Sequence, residues 1–173
     1  MLVGDTAVGK SCLIVNYLRN EFSEEYEPTV LDVYRGTKNV DQNQIELEIH
    51  DTSGDEHLGV NRKQQYEGCD VFAICVAANA RSSLENIGKW KAEIQSKEPS
   101  KPICLVMTKR DLIDDVEADA MQNFVSKKDC LSEKKKQGFV KFCSTSSKAW
   151  NDFNVHKAFN TIIMAGYEYK SAQ

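Results

Sequence analysis

No stretch of this chain is apolar for long enough to cross a membrane or to serve as a signal peptide. No two of the six cysteines (Cys12, Cys69, Cys75, Cys104, Cys130, Cys143) form a C-x-x-C pair, and most sit in apolar runs. They read as reduced, buried small residues of a cytoplasmic protein, which excludes a disulfide scaffold and a cysteine-based metal finger. The three histidines, His50, His57 and His156, show no metal-ligand spacing and read as surface or satisfied groups. Positive charge is not in excess: the formal net charge is -4. That argues against a nucleic-acid binder, whose affinity comes mostly from Lys and Arg. Lys127, Lys128, Lys134, Lys135 and Lys136 are interleaved with Asp129 and Glu133, as on a solvated helix face.

What is present fits one compact domain over residues 1–173, with 41% hydrophobic residues to fill its core. Near the start, Met1-Leu2-Val3 leads into Gly4-Asp5-Thr6-Ala7-Val8-Gly9-Lys10-Ser11, followed by the apolar Cys12-Leu13-Ile14-Val15. In this strand, loop, helix context G-x-x-x-x-G-K-[ST] is a phosphate cradle. Gly4 and Gly9 free the backbone to turn its N–H groups around an anion at the positive end of the helix. Thr6, Ala7, Val8, Gly9, Lys10, Ser11 and Cys12 are therefore the candidate phosphate-binding set. Lys10 supplies a point charge to the terminal phosphates, and Ser11 a hydroxyl to a bridging Mg²⁺. This motif alone does not choose between ATP and GTP, or between hydrolase and kinase.

Downstream, the sequence predicts a helix to Arg19, a polar loop from Asn20 to Pro28, and a hairpin of Val30 to Val40 with Ile45 to Ile49 about an Asp41-Gln42-Asn43-Gln44 turn. The polar segment from Asp51 to Gly68 reads as a loop with a loose helix. Asp70 to Ala78 and Pro102 to Met107 are apolar throughout, as in strands covered on both faces. Between them Leu84, Ile87, Trp90, Lys91 and Ile94 form a helical stripe, with Ser82 or Ser83 as cap and Glu85 in a capping box. A helix is predicted from Val116 to Gln137 with a break near Asp129-Cys130, ended by Gly138. A short strand Phe139 to Cys143 and a last helix from Val155 to about Tyr167 follow. The alternation implies an α/β fold: a six-stranded, mostly parallel, doubly wound sheet with helices on both faces. Ligands then bind at the carboxyl ends of the strands, where the loop at Gly4, Asp51, Thr108 to Asp111 and Cys143 to Ser146 all fall.

Asp111 is plausible as a helix cap taken alone. Together with Lys109, however, the run Thr108-Lys109-Arg110-Asp111 suits a guanine base, whose adjacent N–H donors one carboxylate can accept; adenine would leave that acid unpaired. With Thr29, Asp51-Thr52-Ser53-Gly54 and Ser144-Thr145, the chain resembles the Ras superfamily of small GTPases from Gly4 to about Tyr167. The resemblance implies a P-loop NTPase fold, GTP or GDP with Mg²⁺ as cofactors, and a switch in which γ-phosphate and Mg²⁺ order two loops. It implies Ser11, Thr29 and Asp51 as the metal set, the last in a second shell. Lys10, Thr29, Gly54 and Asp55 take the catalytic positions. Phe22 and Tyr26 lie by the nucleotide, Lys109 along the base, and the Thr145 N–H on guanine O6, with Ser144 and Ser146 beside it. Glu25 to Tyr34, Thr108 and Cys143-Ser144 are most similar to the Rho family, while Leu31, His50 and the Leu84 to Trp90 spacing depart from it. A Ras-like or Rab-like member is the alternative within the superfamily.

Two positions depart from the pattern where hydrolysis is concerned. Asp55 stands at the glutamine that orients the attacking water, and Thr6 at a glycine that admits an arginine finger, as in Rnd-type relatives whose second switch also reads Asp-Thr-Ser-Gly. No arginine lies between Asn20 and Pro28 to act in cis. Weak or impaired GTP hydrolysis is expected. The expected partners are effector proteins, an exchange factor, and an activating protein of weak effect; a monomer is expected. A P-loop kinase or ATPase, and a nucleotide-holding interaction module, are the alternatives outside a slow hydrolytic switch. The chain ends Lys170-Ser171-Ala172-Gln173 without a C-a-a-X motif, so no membrane anchor is expected in it. Met1 to Val3 is short beside the usual ~5 residues of a strand, which leaves open a longer first strand.

Overall fold

The computed structural model describes residues 1–23, 28–40, 42–113, 116, 120–148 and 153–173. Six strands form one sheet in the order β2-β3-β1-β4-β5-β6: β1 (Leu2–Val3), β2 (Leu31–Val40), β3 (Asn43–Thr52), β4 (Phe72–Ala77), β5 (Ile103–Thr108) and β6 (Lys141–Ser144). Only β2 and β3 pair antiparallel, with Tyr34 opposite Ile49; the other neighbours are parallel. The helices are α1 (Lys10–Arg19), α2 (Gly59–Gln64), α3 (Arg81–Glu85), α4 (Ile87–Gln95), α5 (Lys127–Gln137) and α6 (Phe153–Ser171). β1 is central despite its length, and the chain leaves it to build both sides of the sheet. Its carboxyl end is the switch point where such sheets bind ligands.

The side-chain alternation of β4 and β5 sorts the core into two layers. Phe72, Ile74, Val76, Ile103, Leu105 and Met107 pack with Leu84, Ile87, Trp90, Ile94 and Cys130 under α3, α4 and α5. The opposite face carries the smaller Ala73, Cys75, Ala77 and Cys104, which join Leu13 and Ile14 of α1 and Phe159, Ile162 and Ile163 of α6. Small side chains on that face let α1 lie close over β1, which brings its N-terminus to the strand ends. Phe159 stacks on Tyr17 with ring centroids 4.0 Å apart and locks α1 to α6. Among the described residues, no helix is long and apolar enough to cross a membrane.

Several elements differ in detail from the sequence reading. Neither Ser82 nor Ser83 caps α3: the helix starts at Arg81 behind Ala80, and Ser83 Oγ instead donates to Ala80 O and accepts from Ala77 N–H. The stripe is interrupted at Asn86, which separates α3 from α4. The break in the 116–137 segment lies before Ser126, not at Asp129-Cys130. Ser126 and Asp129 form a reciprocal capping box that starts α5 there, and Gly138 ends the helix at φ 73°. The last helix extends beyond Tyr167 to Ser171. Asp41 of the predicted turn lies outside the described residues, and β3 already begins at Asn43.

Candidate functional site

The site begins where β1 ends. Gly4 at φ 141°, Ala7 at φ 60° and Gly9 at φ 94° curl residues 4–9 into a loop that feeds straight into α1. A Cβ at Gly4 would lie 2.4 Å from Cys75 O, so only glycine lets this loop leave the sheet beside β4. Lys10 is buried, and its Nζ donates to Gly4 O at 2.8 Å and to Asp5 O at 2.9 Å. Burial lowers the Lys10 ammonium from its ordinary value. Thr6 and Ala7 form the exposed rim, whereas Val8 is buried in the core.

Beside the start of α1, three oxygen-bearing side chains converge from separate elements. Ser11 Oγ and Thr29 Oγ1 are hydrogen-bonded at 2.9 Å, and Thr29 Oγ1 donates to Asp51 Oδ2 at 3.5 Å. Asp51 is fully buried at the end of β3, and its Oδ1 has no hydrogen-bond partner. Burial raises its carboxyl above the ordinary value, against the opposing pull of a Ser11 hydrogen bond and the Lys10 charge. A buried, under-satisfied carboxylate with two hydroxyls is a hard-oxygen donor set that fits Mg²⁺. Among the described residues there is no cluster of three or more His, Cys, Asp or Glu, so a cation here would lean on phosphate oxygens as well.

After β3 the backbone of residues 53–55 lies against the Gly4–Gly9 loop. A Cβ on Gly54 would lie 2.2 Å from Thr6 N and 2.3 Å from the Asp5 carbonyl carbon. Asp55 follows on the same segment. It is exposed, and its Oδ1 accepts the His57 N–H at 2.8 Å, capping a short 3-10 turn from Glu56 to Leu58.

At the far end of the cleft, Thr108 Oγ1 donates to Val8 O at 2.5 Å and to Val76 O at 3.1 Å, stapling the loop to β4. Lys109, at φ 56°, sends Nζ to Ala7 O at 2.8 Å. Asp111 Oδ1 accepts from Ser146 Oγ at 2.5 Å, which fixes the carboxylate's orientation. Two expectations at the 144–146 stretch need correction. The Thr145 N–H donates to Met107 O at 2.7 Å as β6 leaves the sheet, so it is taken up by strand pairing and does not face a base. Ser144 Oγ, expected beside the base, is buried without a hydrogen-bond partner. The residue that bonds Asp111 is Ser146, and the next one, Ser147, accepts at its O from Asn16 Nδ2 of α1 at 3.0 Å. Of the remaining expected residues, Phe22 is 39% exposed after α1, Cys12 is half-buried without a disulfide, and Tyr26 lies outside the described residues. His50, read as a surface or satisfied group, has Nε2 3.4 Å from Glu48 Oε2 and a buried Nδ1 without a partner.

A second set of residues supports the site and was not singled out from the sequence. Asp5 accepts from Trp90 Nε1 at 2.7 Å and from Asn86 Nδ2 at 2.8 Å. Arg62, 5% exposed, donates Nη1 to Ser53 O at 2.8 Å and to Asp55 O at 3.0 Å, and pairs with Glu93.

A family model described as the Ras family matches residues 1–167 of this chain. The Rho-related GTP-binding proteins RhoV of Bos taurus and Rattus norvegicus are each 34% identical to it over 176 residues, covering 99% of this chain and 75% of the relative. RhoV of Homo sapiens matches with the same identity and coverage. A backbone loop at a helix N-terminus, a carboxylate held by Ser146 and a Ras-family match over nearly the whole length agree: the chain belongs to the Ras family and is a Rho-like small GTPase, a guanine-nucleotide-binding molecular switch.

Proposed function

We propose that this switch holds GTP in preference to hydrolysing it, and that Asp55 is the reason. The observation that carries the reading is the Asp55 cap: its carboxylate accepts the His57 N–H and is committed to the following turn. A carboxylate cannot donate a hydrogen bond to an attacking water, and it places negative charge beside the γ-phosphate that the transition state must shed. Thr6 on the exposed rim puts a branched side chain where an activating protein's arginine would enter.

In this reading the loop amides and Lys10 cradle the phosphates, exchanging the Gly4 and Asp5 carbonyls for phosphate oxygens. Ser11 and Thr29 would hold Mg²⁺ with Asp51 behind them, and Mg²⁺ when bound would neutralise charge on the phosphates. Thr29, the one member of that set on a loop between α1 and β2, reports whether the γ-phosphate is present. Asp111, oriented by Ser146, accepts the guanine N1 and N2 donors, with Lys109 lying along the base and the Ser147 N–H in place of the Thr145 N–H at O6. Phe22 and Tyr26 flank the nucleotide. The whole chain acts as one G domain and as a monomer, meeting effectors and an exchange factor through the segments around Thr29 and Gly54. Six cysteines without a disulfide support a reducing, cytoplasmic setting. The nucleotide retained through purification tests the proposal: GTP is expected, whereas GDP would overturn the impairment and an adenine nucleotide would overturn the base assignment.

A further inference from the structure

We propose that the cavity between β6, α5 and α6 is a binding site for a phosphate monoester, placed directly behind the turns assigned to the guanine base. The cavity stands on its own geometry, and only its effect on nucleotide release rests on the base assignment given above. Its volume is about 240 Å³, below the range of about 300–1,000 Å³ for drug-sized ligands and suited to a phosphate on a short carbon unit. Three cations from three elements line it: Arg110 of the 3-10 turn after β5, Lys127 at the start of α5, and Lys157 on α6. Among the described residues, no aspartate or glutamate does. In a chain of net charge -4, three cations and no acid around one cavity are not a consequence of composition.

The helix face turned toward the cavity is polar where packing alone would make it apolar. Asn154, Lys157, Ala158 and Thr161 recur at the i, i+3, i+4, i+7 spacing of one helical stripe, whereas Val155, Phe159, Ile162 and Ile163 form the stripe that the core buries. On the strand side Phe142 supplies an apolar wall, and Ser144, which also lines the cavity, has a buried Oγ without a hydrogen-bond partner. Burial raises the Cys143 thiol in the same wall, and Thr161 and the Lys157 charge pull it back, so the lysine's field reaches inside. A phosphate monoester brings a charge of about −1.5 to −2 and three acceptor oxygens. Three cations and a hydroxyl suit that better than they suit a lone carboxylate. The cavity also shares a wall with the base cleft. Arg110 stands between Lys109 and Asp111, and its backbone N–H donates to Thr145 O at 3.0 Å. An anion gripped by Arg110 and Ser144 would tie the turn after β5 to the exit of β6, the two segments that hold Asp111 on Ser146. Occupancy should therefore slow the release of GDP, and by linkage GDP should tighten the ester.

Amide NMR on the GDP-loaded full chain, titrated with glycerol 3-phosphate, tests the site, with sedimentation on phosphatidylcholine vesicles containing phosphatidic acid as a second arm. Saturable shifts centred on residues 142–144 and 154–161 are expected with the soluble ester; binding to the vesicles alone would keep the phosphate-ester chemistry and assign it to a lipid headgroup. Lys127, Lys128 and Lys157 are all exposed, so their substitution should leave the fold intact. Lys127→Gln and Lys157→Gln should each weaken binding by at least about threefold, and together by about tenfold or more. Lys128→Gln removes the same charge just outside the cavity and should bind as the wild type does. Binding in neither arm, or equal losses in all three single variants, would overturn the site. Release of a fluorescent GDP derivative should slow by about fivefold or more at saturating ester, and the double variant should abolish the effect. Unchanged release from a filled site would overturn the regulatory link. Failure of the base assignment shows separately, as a chain that does not load with GDP.

Discussion

Gly54→Ala is the substitution whose consequence the geometry determines most closely. The added Cβ would sit 2.2 Å from Thr6 N, 2.3 Å from the Asp5 carbonyl carbon and 2.7 Å from Asp5 O, all backbone atoms that no rotamer change can move. Ordinary contact begins near ~3.5 Å, so the 53–55 segment must retreat by more than about 1 Å. Retreat on that scale pulls the Ser53 and Asp55 carbonyls off Arg62 Nη1. Hydrogen bonds to a charged group are worth about 1.5–3 kcal/mol each, so the loss of both should lower stability by roughly 3–6 kcal/mol in both nucleotide states. On the proposed switch reading, triphosphate binding would lose in addition a γ-phosphate contact from the Gly54 N–H. That contact is worth a further ~1.5–3 kcal/mol, or about 10- to 150-fold in the ratio of triphosphate to diphosphate affinity. Dissociation kinetics of fluorescent GDP and GTP-analogue derivatives read that ratio directly. Gly4→Ala provides the contrast, since its Cβ meets Cys75 O at 2.4 Å inside the sheet and should weaken both nucleotides and the fold alike. An unchanged ratio together with an unchanged thermal transition in Gly54→Ala would refute the packing argument.

Asp111→Asn should relax guanine selectivity from several kcal/mol toward indifference, because an amide cannot accept from both guanine donors; wild-type binding of an ATP derivative within about tenfold of its GTP counterpart would contradict the assignment. Ser11→Asn should weaken Mg²⁺-dependent triphosphate binding more than diphosphate binding, and equal weakening, or an effect that persists in chelator, would count against a metal-ligand role. Because burial raises the Asp51 carboxyl and a cation needs it deprotonated, Mg²⁺ affinity should begin to fall while the pH is still above the usual aspartate value of ~3.9. Glu93 runs the other way: its folded value is depressed, so its stabilisation is in force above the unfolded value of ~4.3 and is lost as pH drops through the lower folded one. Glu93→Gln should flatten the acid limb of a denaturation profile, and an unaltered limb would show that the carboxylate is not held by Arg62.

The sheet was legible because its strands carry their own pattern. Phe72 to Ala77 and Ile103 to Thr108 are apolar on both faces and buried throughout, and Ile45, Leu47 and Ile49 alternate with exposed Glu46 and Glu48. What the sequence left ambiguous was settled by partners distant in the chain. Ser83 has the residue type of a cap, yet Ala77 N–H takes its hydroxyl. Ser126 and Asp129 had the capping-box spacing in plain view, inside a segment that reads as a helix broken near Asp129-Cys130. Cys143 to Ser147 contains four hydroxyl residues in a row, so more than one register satisfies the base motif. Only the pairing of Met107 with Ser144 in the sheet decides that Thr145 belongs to the strand exit and Ser146 to Asp111. The contacts of Arg62 were invisible for the same reason: an arginine in a polar loop shows no partner in the sequence until the fold brings Glu93 and Trp90 to it.

The central proposal, that Asp55 and Thr6 leave this GTPase loaded, is tested most directly by single-turnover hydrolysis of bound GTP with and without a Rho-type activating protein. In the Ras system the arginine finger is worth about 10³ to 10⁵ in rate. The account predicts slow intrinsic turnover and stimulation below about a hundredfold, an order of magnitude under that range. Stimulation above that level would contradict it and would show that a capped aspartate and a crowded rim still admit the catalytic arginine.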